Sequence, residues 1–172
     1  VVPSAEDCAT PANEDCLSGP DCGGQLWAKK LGAAGDQQGN AVARDPQNNV
    51  LVTGRFAGSF AIGGTTLTSA GGYDAFVAKL DPAGNAVWAL RFGDAAIYQE
   101  GFDIASDAQG DVLVTGYFEG TMNFGGTVLT SAGGTDAFLA KLDPNGNVLW
   151  AKRFGGAGAQ LGQALGVDPQ GN

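Results

Sequence analysis

One stretch written twice constrains this chain more than anything else in it. Val112 to Trp150 reads VLVTGYFEGTMNFGGTVLTSAGGTDAFLAKLDPNGNVLW, and Val50 to Trp88 reads VLVTGRFAGSFAIGGTTLTSAGGYDAFVAKLDPAGNAVW. About 27 of the 39 positions are identical, and the copies lie about 62 residues apart. A third copy begins at Trp150 and runs to Asn172. A fixed pitch of this size is the mark of a supersecondary unit stacked on copies of itself. The 29 glycines recur at fixed places in the repeat and show no collagen period, so they are read as turn residues.

The punctuation inside the repeat sets its secondary structure. Five turns share one template: Asp45-Pro46-Gln47-Asn48, Asp81-Pro82-Ala83-Gly84, Asp107-Ala108-Gln109-Gly110, Asp143-Pro144-Asn145-Gly146 and Asp168-Pro169-Gln170-Gly171. Asp at the first position accepts local backbone N–H bonds, and Pro at the second pre-sets φ. Gly or Asn48 at the end tolerates a left-handed backbone. Between the turns run NAVAR (Asn40 to Arg44), VLVTGRF, DAFVAKL and NAVWALRF, each of strand length. VLVTGRF is apolar on both faces, as a central strand should be. Ala57 to Gly72 reads as a small subsidiary hairpin closed at Gly63-Gly64. No stretch carries a 3.6-residue pattern long enough for three helical turns. The expectation is an all-β fold whose unit is four antiparallel strands, which is a β-propeller blade. Gln25 to Gly32 (QLWAKKLG) is expected to be the outer strand of one blade. Two full blades follow, and then the inner strand of another.

The pattern DAFLAKLDPNGNVLWAKRFGG…DPQGN…VLVTG resembles the SBBP-type seven-bladed β-propeller repeat of secreted bacterial proteins, from Gln25 to the C-terminus. The resemblance implies blades in tandem and carries no catalytic constellation. KLDPNGNVLW also resembles the tryptophan-docking turn of quinoprotein propellers, but the cofactor-binding residues of that family have no matches here. Two bare blade edges would invite aggregation, so a fragment or an assembly completed by other chains is expected.

Residues 1–24 (VVPSAEDCATPANEDCLSGPDCGG) form a Cys-, acidic- and Pro-bearing leader that is expected to be extended. Cys8, Cys16 and Cys22 are spaced C-x7-C-x5-C, which matches no zinc template. They are read as disulfide candidates in an oxidising compartment, with one thiol left over. EDCATPANEDC resembles the Cys-acidic leaders of secreted proteins of gliding soil bacteria, which supports export and an extracellular or cell-surface location. The Val1 start shows neither initiator Met nor signal peptide, so a processed product or a fragment is expected.

Composition then removes several functions. Acidic residues outnumber basic ones 18 to 9, giving a formal charge of -9 with no basic stripe, which argues against a nucleic-acid partner. Histidine is absent, and with it His-based triads and His metal ligands. No apolar run reaches the length of a membrane span. Asp143 to Asn147 offers oxygens at alternate positions, but the EF-hand glycine and terminal Glu are missing, so the turn reading is preferred to calcium. GGAGAQLG (Gly155 to Gly162) is glycine-rich, yet no helix follows to present N–H groups to a phosphate. Asp74 and Asp136 hold equivalent positions and are read as caps for backbone N–H groups rather than as an acid–base pair. No catalytic residue, cofactor or metal site is assigned.

What differs between copies points to binding. The Asp-Pro-X-Gly turns lie at one end of a blade (the turn end), and the loops around Gly58 and Asp94 at the other (the loop end). The loop end carries the one length change and most substitutions: Arg55 against Tyr117, Ala57 against Glu119, Tyr73 against Thr135. Adaptable loops on a rigid scaffold are where binding is usually placed. The candidate contact residues are therefore Arg55, Tyr73, Tyr98, Glu100, Tyr117 and Glu119. The reading is a non-enzymatic extracellular binding or scaffold module whose partner is a protein or a glycan. Its alternatives are a structural subunit completed by edge-strand pairing with further chains, and a propeller lyase or hydrolase using carboxylates and Tyr98.

Overall fold

The computed structural model describes residues 27–33, 35–95, 98–168 and 170–171. The leader and its three cysteines lie outside these. The chain divides into two compact units, Val1–Lys30 and Leu31–Asn172, and every assigned strand belongs to the second. Among the described residues there is no helix, and so none long and apolar enough to cross a membrane.

Among the described residues, twelve strands build the second unit. In the first repeat they are β1 (Gln37–Arg44), β2 (Val50–Phe56), β3 (Ser59–Ile62), β4 (Thr65–Thr68), β5 (Asp74–Leu80) and β6 (Ala86–Phe92). The second repeat supplies β7 (Gln99–Ser106), β8 (Val112–Phe118), β9 (Thr121–Phe124), β10 (Thr127–Thr130), β11 (Asp136–Leu142) and β12 (Val148–Phe154). Each repeat makes one four-stranded antiparallel sheet, in the order β1-β2-β5-β6 and β7-β8-β11-β12, together with a two-stranded hairpin, β3-β4 or β9-β10. These are blades of a partial β-propeller. The hairpin expected at Gly63-Gly64 is present, with Gly63 at φ 61° closing it.

The Asp turns follow the sequence argument. Asp45 Oδ1 accepts from the N–H groups of Gln47 (3.0 Å) and Asn49 (2.8 Å), and Asp107 Oδ1 accepts from Gln109 and Asp111 (both 2.9 Å). Asp81, Asp143 and Asp168 cap their turns in the same way. Asn48, at φ 64°, is the one non-glycine residue with positive φ among the described residues, and it holds the place that Gly84, Gly110 and Gly146 hold elsewhere.

The core lies mainly between the blades. Period-2 alternation turns Leu51, Ala75 and Val77 of the first blade toward Val112, Val114, Phe118, Phe138 and Ala140 of the second. Met122 and Phe124 of the β9 hairpin complete this layer, with Phe124 stacked on Phe92 at 4.7 Å. The other face of the first blade buries Phe56, Phe60 and Phe76, whose rings meet edge to face at 4.8–6.4 Å. At about 25 cal/mol per Å² of apolar surface, such ring-rich layers dominate the stability of the unit.

Three expectations need correction. Trp27 to Gly32 form no strand, since a strand needs a ladder partner and none is assigned to them among the described residues. Gly162 to Asp168, expected as the third inner strand, are likewise assigned to no strand, with no ladder partner among the described residues. Finally, β1 begins at Gln37, three residues before the Asn40 start expected for NAVAR.

Candidate functional site

The inner strands carry a local irregularity that shapes the loop end. Both β1–β2 and β7–β8 break register at the same repeat position, between Gly39 and Ala41 and between Gly101 and Asp103. Asn40 and Phe102 are therefore the extra residues of two β-bulges, which bend the strand and re-aim a side chain. The glycine of each VLVTG strand makes room for this. A Cβ at Gly54 would run into the carbonyl oxygen of Gln38, and one at Gly116 into that of Glu100.

Beyond the bulges the two blades are tied together. Gln99 N–H donates to Tyr73 O (2.9 Å), Glu119 N–H donates to Tyr98 O (3.0 Å), and Tyr73 and Tyr98 form an isolated parallel bridge. The side chains converge on the same seam. The Tyr73 and Tyr98 rings stack 11° from parallel at 6.0 Å, and the Arg55 guanidinium sits 4.5 Å from the centre of the Tyr73 ring. Arg55 also pairs with Glu100 Oε2 at 3.2 Å, and Tyr117 Oη donates to the same oxygen at 3.0 Å. Asn40 Nδ2 donates to Glu100 Oε1 at 2.8 Å, and Tyr73 Oη donates to Asp36 Oδ2 at 2.7 Å.

Five of the six candidate side chains thus form one continuous cluster. Glu119 enters it only through its backbone, whose oxygen also accepts from Gln99 Nε2 at 3.1 Å. Glu100 needs a further correction. At 4 % exposure it is no surface contact but the buried anchor that orients Arg55, Tyr117 and Asn40. Tyr98 is the exposed member, at 41 %. Sequence reasoning missed Asp36, Asn40 and Phe102. The signal was present, because Asp36 is the repeat counterpart of Tyr98, while Asn40 and Phe102 are counterparts of each other.

The electrostatics follow from this packing. Burial raises the Tyr117 hydroxyl, and the Glu100 charge and hydrogen bond raise it further, to about 12. Tyr117 therefore stays a proton donor to Glu100 at any ordinary pH. The hydrogen bond to Asp36 raises Tyr73 above its usual value in the same way. Phenols so held give up their protons less readily than a free tyrosine. The paired carboxylates are engaged too. Asp74 Oδ2 accepts from Ala70 N (2.9 Å) and Arg91 (2.6 Å), and Asp136 accepts from Ala132 N (2.9 Å) and from Arg153. Among the described residues, no group of three or more potential metal-ligating side chains is gathered.

The turn end holds a second set of contacts that the sequence did not disclose. Lys79 Nζ pairs with Asp45 at 2.8 Å, and Lys141 pairs with Asp107 at 2.8 Å and with Asp111 at 3.1 Å. Lys79 also donates to Pro144 O (3.2 Å), as does the Trp88 indole N–H (3.1 Å). Gly146, at φ 88°, lies so close to the Trp88 ring that a Cβ would stand 3.2 Å from it. The first blade thus docks on the Asp-Pro-X-Gly turn of the second.

The fold and its seams define a tandem array of β-propeller blades with one specialised junction. No protein-family model matches the chain. Over 110 residues, 59 % of this chain, it is 31 % identical to an uncharacterized WD repeat-containing protein of Acanthamoeba polyphaga mimivirus. The match spans 8 % of that relative's length. The likeness, with the two four-stranded sheets, points to a WD-like β-propeller repeat.

Proposed function

We propose that this chain is a non-enzymatic protein-interaction scaffold whose contact surface is the loop end around Tyr98. The observation that carries it is the co-location of the substitutions. Arg55, Tyr73, Tyr98 and Tyr117 all depart from their repeat counterparts, lie far apart in sequence, and form one connected cluster around Glu100. Independent drift would scatter such changes. At the next junction the counterparts of Tyr73, Tyr98 and Glu100 are Thr135, Ala159 and Leu161, so the cluster belongs to one seam. Stacked tyrosines beside an arginine offer large, rigid contact area at low entropic cost. The WD repeat in the relative's name supports a protein as partner, and the acidic balance disfavours a phosphate polymer. Export belongs to this reading and rests on the leader's composition.

The test is site-specific photocrosslinking of the full chain in its own host. A crosslinker at position 98 is expected to trap a defined protein, and Arg55→Ala is expected to abolish the adduct. A crosslinker at position 145, on the turn end, is expected to trap none. Equal trapping at both positions would sink the reading.

One observation favours a second reading, an assembly subunit. Phe92 is 4 % exposed beneath the second blade, whereas its counterpart Phe154 is 52 % exposed. A further blade supplied by another chain would cover it. Light scattering is expected to show concentration-dependent association that Phe154→Asp removes. A monomer at every concentration excludes this alternative.

A further inference from the structure

The bulged residues of the inner strands also meet in a groove that borders the loop-end cluster. Asn40 and Phe102 line a groove of about 340 Å³ together with Gln163, the residue at the same repeat position in the third copy. An adjoining hollow of about 230 Å³ shares Asn40 and is lined by Gly39, Ala41, Val42 and Val52. The third wall is fixed although no strand is assigned there. Gly162 N–H donates to Gly116 O at 3.2 Å, and Leu165 N–H donates to Asp103 Oδ2 at 2.9 Å. Three successive repeats therefore aim the same position into one groove, and each puts a different side chain there.

From this arrangement we propose that the groove is a binding site for a neutral saccharide, with one pyranose ring seated on Phe102 between the two amides. Phe102 is held for the task, because its ring packs against Tyr117 at 5.3 Å. An aromatic face complements the C–H face of a sugar ring. Both N–H groups of the Asn40 amide are engaged, by Glu100 Oε1 and by Gly101 O at 2.8 Å each. That leaves the Asn40 amide oxygen as an acceptor, which calls for a hydroxyl donor. Gln163 is exposed and offers both donor and acceptor. Among the described residues, none that lines either hollow is charged, so nothing there selects a carboxylate, a phosphate or a cation. The volume lies at the small end of the range for ligand pockets, roughly 300–1,000 Å³.

The experiment is saturation-transfer difference NMR on the full chain with three neutral probes: maltotriose, cellotriose and the trimer of N-acetylglucosamine. At least one is expected to show transfer to its ring C–H protons at millimolar concentration. Phe102→Ala should weaken that probe by about tenfold, Phe102→Tyr should retain it, and Asn145→Ala on the turn end should leave it unchanged. Should Phe102→Ala fail to fold, Gln163→Ala, which changes an exposed side chain, is expected to weaken binding at least threefold. No transfer to any probe on folded protein overturns the proposal. So does wild-type binding by the variants that line the groove, or stronger transfer to a neutral tripeptide. The proposal does not rest on the loop-end reading, since its failure would leave crosslinking at position 98 untouched.

Discussion

At the scale of single residues, the buried ion pair between Lys79 and Asp45 is the most consequential contact that repeat counting overlooks. Burial works to raise Asp45, but the Lys79 ammonium and the Asn49 groups outweigh it and hold the carboxyl below its usual 3.8. Asp107 is lowered by the same balance, with Lys141 in place of Lys79. Removing the lysine leaves a buried carboxylate without its partner, so Lys79→Met is expected to destabilise the protein by about 3 kcal/mol in urea unfolding. The pH dependence follows in sign. Carboxyls lowered in the folded state add stability that is fully present above about pH 4 and is lost as pH falls through their lowered values. Stability should therefore drop steeply below pH 4, and the drop should be shallower in Lys79→Met, where Asp45 has lost a main cause of its shift. Equal slopes for the two proteins would show that the pair contributes nothing to acid stability.

At the scale of the element, each inner strand works as a bulge backed by a glycine. The fifth residue of VLVTG, Gly54 or Gly116, lies against the carbonyl of Gln38 or Glu100, where the inner strand breaks register. Backbone cannot yield to a new methyl group as a flexible side chain can. Gly116→Ala is therefore expected to cost about 2–3 kcal/mol and to disturb the Glu100 anchor. Gly39 gives the contrast, for a Cβ there meets nothing within 4 Å. Gly39→Ala should change stability by less than about 1 kcal/mol, in the stabilising direction, because it removes freedom from the unfolded chain. Thermal melts of the two variants side by side check this. A Gly116→Ala protein that melts with Gly39→Ala would show that the close approach is relieved at no cost.

At the scale of the molecule, stability resides in the seam between blades rather than within each sheet. The aromatic layer of Phe92, Phe124 and Phe138 draws its members from both repeats, and the Trp88 indole reaches the Pro144 carbonyl across the seam. Trp150 is the counterpart of Trp88, but among the described residues its ring is approached by Lys152, at 5.6 Å, instead of by a turn. Trp88→Phe is thus expected to cost about 1–2 kcal/mol and to speed hydrogen exchange in the turn Asp143 to Asn147. Trp150→Phe should cost well under half as much. If the two substitutions proved equally harmful, the docking of blade on turn would not be what holds the seam.

The sequence by itself determined the unit and its chemistry of turning. The pitch of about 62 residues, the Asp-capped turns with glycine or Asn48 at the left-handed position, and the apolar VLVTG strand are local facts. Local rules of backbone geometry and alternation suffice to read them. The loop end was legible too, because differences between near-identical copies stand out against the repeat. Only the tertiary structure decided how those residues meet. Glu100 reads as one more exposed acid in the sequence, yet it is buried because the bulge at Phe102 and the packing of Arg55 close over it. The pairing of Lys79 with Asp45, and the meeting of Asn40, Phe102 and Gln163, join residues dozens of positions apart. The first contact arises because β1 and β5 flank β2 in one sheet, and the second because one blade stacks on the next, so that equal positions of successive copies meet.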